Sequence, residues 1–179
     1  MLLRAVARLS TPELEVRLFR TAGDLPLFNP DLEAHLPPQV AALHAEVAGS
    51  DALLIASPEY AHGVSGTIKN VLDWLVGFAP FADKPVAIFN ASPRAHHADD
   101  ALREILGTMC AVIVEEASIS IPLLGAGLTE DALVEHPTVS RTLQNALVAL
   151  HRAVANPASG QGCSVLCSTT TCGHPRSGH

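Results

Sequence analysis

Positive charge and long apolar runs are both scarce in this sequence. Among 179 residues there are 11 Lys and Arg against 18 Asp and Glu, which gives a net charge of -7. A nucleic-acid-binding surface needs a basic face, so we expect no nucleic-acid partner. No apolar run approaches the roughly 20 residues that cross a bilayer. The opening stretch MLLRAVARLS is too short and too interrupted by arginine for a secretion signal. We therefore expect a cytoplasmic protein without a membrane partner.

Cysteine is also rare, with four residues in the chain. Cys110 lies in the apolar run MCAVIV and is expected to be a buried small hydrophobe. Cys163, Cys167 and Cys172 lie near the C-terminus without the C-x2-C pair of zinc sites, so we predict no metal site. No Ser-His-Asp or Cys-His arrangement stands out in the sequence.

The apolar residues that are present alternate between two periodicities. Helical spacing occurs in five segments: 1–9, 39–48, 64–76, 101–109 and 139–154. Strand-like runs occur in four others: Leu14–Phe19, Ala52–Ala56, Pro85–Phe89 and Ala111–Ile121. Strands that alternate with helices predict an α/β fold, in which a parallel sheet is covered by helices on both faces.

Two segments depart from this alternation. Asp24–Pro38 contains four prolines, which predicts a long loop without regular structure. Beyond Asn156 the chain is rich in Gly, Ser and Thr, and it has too few large apolar groups to offset the entropy of ordering. We therefore predict one domain over residues 1–156 and a disordered tail over residues 157–179.

Polar loops follow two of the predicted strands. Ser57–Gly66 comes after the run ALLIAS, and Asn90–Asp100 comes after Pro85–Phe89. The carboxyl ends of parallel strands meet at one edge of a sheet, where ligands bind in such folds. We expect both loops at that edge, around a binding site.

The first of these loops carries a recognisable pattern. The stretch SPEYAHGVSGTIKNVLDW resembles the signature of the NADPH-dependent FMN reductases, a flavodoxin-like family that includes quinone and chromate reductases. The matching residues are Ser57, Pro58, Glu59, Tyr60, Gly66, Lys69, Asn70, Asp73 and Trp74. The resemblance implies a flavodoxin-like three-layer α/β/α fold, bound FMN and NAD(P)H as electron donor. It also implies a quinone, a flavin or a similar small-molecule electron acceptor, and a homodimer or homotetramer. Because the flavin would carry the chemistry, the resemblance implies no catalytic side chain.

The resemblance also implies which residues hold the cofactor. They are Pro58, Glu59, Tyr60, Ala61, His62 and Gly63 in the first loop, with Ser92 and Arg94 in the second. Pro58 would stiffen the loop, Gly63 would let the backbone approach the flavin, and Tyr60 would cover part of the ring. Arg94 would meet either the phosphates of the nicotinamide donor or the pyrimidine edge of the flavin.

The sequence departs from the family pattern at several points. Ala61 stands where Asn is common, and Ser65 stands where Pro is common, although Ser65 can cap the following helix. The segment MLLRAVARLS looks like the helix that follows the family's first strand and phosphate-binding loop. Either the start is misassigned, or the chain is a degenerate relative. A non-enzymatic or inactive truncated flavodoxin-like protein therefore stays open as an alternative function.

Other residues of these two segments have simpler interpretations. Lys69 and Asp73 are four residues apart and can pair on a helix surface. Trp74 is a candidate for a subunit interface, as in a dimeric family. His96 and His97 are adjacent, so we expect their side chains to point in different directions.

Overall fold

The structure is a computed structural model that describes residues 1–11, 13–92, 96–123 and 129–156. Its helices are α1 (Leu2–Arg8), α2 (Pro38–Ala48), α3 (Gly66–Asp73), α4 (His96–Thr108), α5 (Glu130–Glu135) and α6 (Pro137–Ala155). Its strands are β1 (Leu53–Ile55), β2 (Glu59–Tyr60), β3 (Gly63–Val64), β4 (Pro85–Asn90), β5 (Val112–Ile113) and β6 (Ile119–Ser120). The tail predicted for residues 157–179 lies outside the described residues.

The main sheet is parallel and is built around β4. Strand β1 pairs along one edge of β4, with Leu53 opposite Val86 and Ile55 opposite Ile88. Strands β5 and β6 also pair with β4, at its first and last residues respectively. The run Ala111–Ile121, predicted as one strand, is thus divided in two by a 3-10 turn at Glu115–Ala117. The predicted parallel arrangement is confirmed.

Both faces of β4 are covered by helices. Val86 and Ile88 belong to a core with residues of α2, α3 and α4, whereas Ala87 and Phe89 belong to a core with residues of α1, α5 and α6. All four side chains are almost completely buried. This alternation follows from the two-residue period of a strand. The resulting three-layer α/β/α architecture is the predicted one.

The strand predicted at Leu14–Phe19 is wrong. The segment has no strand assignment and pairs with no strand in the part of the chain that the structure describes. A groove of about 630 Å³ lies between it and β1. Alternating apolar and charged residues show that a segment can form a strand, but a strand also needs a neighbouring backbone at hydrogen-bonding distance.

Two further local predictions need correction. Asp24–Pro38 is not wholly irregular, because a 3-10 helix spans Pro30–His35 with Pro30 in its first turn and the Asn29 side chain as its cap. Proline is compatible with a first turn because its missing N–H would have no partner there. Cys110 is only half-buried, since it lies at a turn with φ of 59° after α4. Within the described residues, no helix combines the length and apolar character needed to cross a membrane.

The start of the Asp24–Pro38 segment is fixed to α3 by polar side chains. Asn70 Nδ2 donates to the carbonyl of Pro26 at 3.0 Å, and Asn70 Oδ1 accepts from the backbone N–H of Phe28 at 2.8 Å. Trp74 Nε1 donates to the same Pro26 carbonyl at 2.8 Å. The Trp74 ring is 3% exposed and packs edge-on against Phe28, with 5.0 Å between centroids. Trp74 is therefore a core residue of its own chain, and its expected role at a subunit interface is corrected.

Replacement of Asn70 with Ala should lower the free energy of unfolding by about 2–3 kcal/mol, because it leaves backbone groups of the loop without partners. Urea denaturation measures this change. Lys69→Ala is the matched control on the same helix: it removes only a partly exposed ion pair with Asp73, which contributes about 0.5 kcal/mol. Equal losses in the two variants would contradict the structural role of Asn70.

Candidate functional site

A cavity of about 530 Å³ opens at the carboxyl edge of the sheet. Four segments line it: Met1–Arg4, Leu18–Arg20, Ala56–Glu59 and Phe89–Ser92. The last two follow or end β1 and β4, which is where the sequence predicted a binding site. Of the predicted cofactor-binding residues, Pro58, Glu59 and Ser92 lie together in this lining.

The other predicted residues of the first loop form a hairpin outside the cavity lining. Tyr60 pairs with Gly63 at the end of the β2–β3 hairpin, and Ala61 and His62 form its two-residue turn. The Tyr60 side chain is 67% exposed. Arg94 lies outside the described residues. The structure therefore places three of the eight predicted residues in the cavity lining and four on the hairpin, outside that lining.

Two serines fix the base of this loop. Ser57 Oγ donates to the Pro58 carbonyl at 3.1 Å and accepts from the backbone N–H of Ser65 at 3.3 Å, which joins the two ends of the loop. Ser65 Oγ in turn accepts from the backbone N–H of Ile68 at 3.3 Å. Ser65 is thus the N-cap of α3, as predicted. The loop leaves β1 and enters α3 at positions that these bonds hold.

The hairpin turn is strained. Ala61 has φ of 49° and His62 has φ of 59°, the pair of positive values that a type I′ turn requires. Glycine, Asn and Asp suit such positions, whereas Ala in the left-handed region costs about 1–2 kcal/mol. Ala61, which departs from the family pattern, therefore occupies a backbone conformation that disfavours its side chain.

A hydrogen bond joins the hairpin to the second loop. Glu59 Oε2 accepts from the backbone N–H of Ala98 at 2.9 Å. Ala98 lies in the first turn of α4, where backbone N–H groups have no partner within the helix. Glu59 thus acts as a capping carboxylate for α4, and a negative charge suits the positive end of the helix dipole.

The imidazole rings of three histidines lie close together where the hairpin approaches the start of α4. The rings of His62 and His97 are 4.4 Å apart between centroids, and those of His97 and His96 are 4.0 Å apart. The expectation that His96 and His97 point in different directions is wrong, because their rings pack against each other in the first turn of α4, and His97 also contacts His62 of the hairpin. No group of three or more His, Cys, Asp or Glu residues suited to a metal ion occurs within the described residues.

Sequence reasoning missed polar contributors to the cavity, among them Asn90 and Arg20. Asn90 Oδ1 accepts from the backbone N–H of Ser92 at 2.9 Å, a local turn that shapes the end of β4. Arg20 adds a cation from the segment that follows Leu18. Asn90 was detectable as a turn-forming residue at the end of a strand. Arg20 was not, because its position depends on where an unpaired segment lies.

Further along α4, Arg103 links the helix to the chain that follows β5. Its Nε donates to Asp99 Oδ2 at 2.7 Å, and its Nη1 donates to Glu115 Oε1 at 2.8 Å. The hydrogen bonds that Arg103 donates to Asp99, the larger cause, and to Glu115 raise the pKa of its guanidinium above the ordinary value. Arg103 is therefore a fixed cation that joins α4, on the C-terminal side of His96 and His97, to the segment after β5.

The profile of the NADPH-dependent FMN reductase family matches residues 1–123 of this chain. The chain belongs to that family. A quinone reductase of Pseudomonas putida is 38% identical over 98 residues, which are 51% of each chain. A probable NADPH:quinone oxidoreductase 2 of Oryza sativa subsp. japonica is 47% identical over 74 residues, which are 38% of this chain and 36% of the relative.

The fold of the family is also seen in solved structures. FerB, a flavoenzyme NAD(P)H:(acceptor) oxidoreductase from Paracoccus denitrificans, superposes with a TM-score of 0.69 at 27% identity. The match covers 86% of this chain and 87% of FerB. The matched regions of the first curated relatives span about half of their length. The flavodoxin-like fold expected from the sequence is thus confirmed.

Replacement of Ala61 with Gly should raise the free energy of unfolding by about 1 kcal/mol, because glycine adopts positive φ without steric cost. Thermal or urea denaturation tests this. Ala101→Gly, inside α4, is the matched control and should lower stability by about 1 kcal/mol. A loss of stability at both positions would contradict the strained turn.

Replacement of Glu59 with Ala should speed amide exchange at Ala98 and lower stability by about 1 kcal/mol, because the first turn of α4 loses its cap. Amide exchange observed by NMR measures the first effect. Glu59→Gln keeps an acceptor oxygen and should retain most of the protection. Unchanged exchange at Ala98 in Glu59→Ala would show that the bond does not cap α4 in solution.

Proposed function

We propose that this protein is an NAD(P)H-dependent FMN oxidoreductase that passes electrons to a quinone, a flavin or a similar small acceptor. The observation that carries the proposal is the convergence of Pro58, Glu59 and Ser92 on one cavity at the carboxyl edge of the sheet. Family membership and the names of the relatives support the same activity.

The cavity fits a flavin ring in size and in chemistry. Its volume of about 530 Å³ lies within the range of about 300–1,000 Å³ that small-molecule sites occupy. Most of its lining is apolar, including Leu2, Phe89 and Ala91, while Ser57 and Asn90 supply a few polar groups. A flat ring with carbonyl and nitrogen edges needs this combination, in which apolar walls exclude water and a few donors fix orientation.

The residues that line the cavity would have two separate roles in cofactor binding. Ala56–Glu59 and Asn90–Ser92 would hold the ring between the ends of two strands, and Arg20 would attract anionic groups of the cofactor or the donor. FMN itself would supply the redox chemistry, which is acceptance of a hydride and its delivery to the acceptor. No side chain of this chain needs to act as a nucleophile.

Further sequence predictions remain proposals that rest on the family resemblance. They are a cytoplasmic location, assembly as a homodimer or homotetramer, and roles for Tyr60, His62 and Arg94 at the flavin or substrate. Because Tyr60 is 67% exposed, its contact with a ring would have to form at the rim of the site. Light scattering of the purified protein measures the assembly.

Replacement of Ala91 with Leu should weaken FMN affinity at least about tenfold, because the larger side chain would enter the cavity. Quenching of flavin fluorescence measures the affinity. Ala42→Leu, at an exposed position of α2, is the matched control and should leave affinity unchanged.

A second measurement distinguishes an FMN-dependent oxidoreductase from a non-enzymatic flavodoxin-like protein. The protein loaded with FMN should oxidise NADPH in the presence of a quinone and the absence of oxygen. Binding of FMN without oxidation of NADPH or NADH would favour the non-enzymatic alternative. No binding of micromolar FMN by the folded protein would refute the flavin site.

A further inference from the structure

A hydrogen bond and a ring contact join side chains of the β2–β3 hairpin to the start of α4. In the hydrogen bond, Glu59 Oε2 accepts from the backbone N–H of Ala98. In the ring contact, His62 packs against His97, with 4.4 Å between centroids and 33° between the ring planes. His96 extends this contact, because its ring lies 4.0 Å from that of His97. We call His62, His97 and His96 the histidine row.

The turn that carries the first ring of the row is strained. Ala61 and His62 have φ of 49° and 59°, and Ala in this region carries a steric cost. Neither residue is the Asn or Gly that a type I′ turn favours. A turn of this composition depends on contacts with the rest of the chain. The contact with His97 is made by a residue of the turn itself, so it bears directly on whether the hairpin stays closed against α4.

The histidine row can change its charge near neutral pH. All three side chains are exposed, so protons reach them from solvent. Imidazole is the side chain that ordinarily titrates between pH 5 and 8. Two neutral rings in contact attract each other, whereas two imidazolium rings repel each other. Solvent weakens this repulsion without reversing its sign. A contact that closes the hairpin at neutral pH therefore opposes closure at acidic pH.

The other titratable and charged groups of the packed elements surround the row with negative charge. On the hairpin, on α4 and on the segment after β5 that pairs with α4, they are Glu59, Tyr60, Asp99, Asp100, Arg103, Glu104 and Glu115. Asp99 and Glu115 are already paired with Arg103. The carboxylates outnumber the guanidinium, so their field attracts cations. They do not separate the rings, and repulsion within a charged row remains.

We propose that His62 and His97 are positioning residues that make closure of the hairpin depend on pH. Their rings hold the hairpin on α4 when neutral and release it when both are protonated. By linkage, closure weakens as pH falls, because the open hairpin binds protons more readily than the closed one. Glu59 lies on the same hairpin and in the cavity lining, so the row controls the position of one cavity wall. This inference stands independently of the proposed redox activity, because neither the ring contact nor its readout involves a flavin.

Amide exchange at Ala98, observed by NMR, tests the proposal on the unaltered chain. The protection factor compares the exchange rate with that of the unfolded chain at the same pH, which removes the intrinsic pH dependence of exchange. Between about pH 7.5 and about pH 5.5, protection of Ala98 should fall at least about fivefold, because an open hairpin withdraws the Glu59 carboxylate. The N–H of Val114, which donates to the carbonyl of Val86 at 2.9 Å, is the reference and should keep its protection.

Two outcomes of this measurement would overturn the proposal. Constant or rising protection of Ala98 on acidification would show that the charged row does not open the hairpin; a rise would indicate that an imidazolium pairs with Glu59 instead. An equal fall at Ala98 and Val114 would indicate that the whole domain loses stability at acidic pH, without a separate opening of the hairpin.

Substitutions identify the groups responsible. His97→Phe keeps a flat ring on a helical backbone but cannot be protonated, so protection of Ala98 should vary less than about twofold over the same pH range. His62→Asn removes the ring and supplies a residue that tolerates positive φ; it should also abolish the pH dependence. His35→Phe, at an exposed position of the Pro30–His35 helix, is the matched control and should retain the full fall. A fall that persists in His97→Phe or His62→Asn would assign the pH dependence to another group and overturn the proposal.

Discussion

Strand β4 is the constraint on which the other elements depend. The strands β1, β5 and β6 all pair with it, and its side chains alternate between the two cores. A strand buried on both faces can keep its backbone satisfied only if both edges are paired. Pairing with its six residues therefore determines where the neighbouring strands lie along the sheet. Its carboxyl end places Asn90–Ser92 in the lining of the candidate site.

The sequence predicted the features that depend on local periodicity. Helices α1, α2, α3, α4 and α6, the strands within Ala52–Ala56 and Pro85–Phe89, and the cap at Ser65 all have signals within a few residues. Helix α5 was not predicted, and Ala52–Ala56 is half-buried rather than covered on both faces. Leu14–Phe19 shows the limit, because its alternation is strand-like while its pairing depends on a backbone that is distant in sequence. Trp74 shows the same limit, since its burial depends on Pro26 and Phe28.

In the candidate site, too, the sequence predicted what has a local signal and missed what depends on the local backbone conformation or on distant contacts. The order of strands and loops predicted the edge of the sheet at which Pro58, Glu59 and Ser92 line the cavity. It could not separate residues that line the cavity from those on the hairpin, because that division depends on positive φ at Ala61 and His62. Ala is not a residue type that signals a left-handed turn. The contact between His62 and His97 likewise depends on how α4 begins.

The hydrogen bond between Glu59 and Ala98 couples two segments that are almost 40 positions apart in sequence. Glu59 belongs to the loop after β1, and Ala98 belongs to the helix after β4. Displacement of the hairpin alone would uncap α4, so outward movement of the loop carries an energetic penalty at a neighbouring helix. A molecule that enters the cavity by displacing the hairpin must therefore also break the cap of α4, at a cost of about 1 kcal/mol.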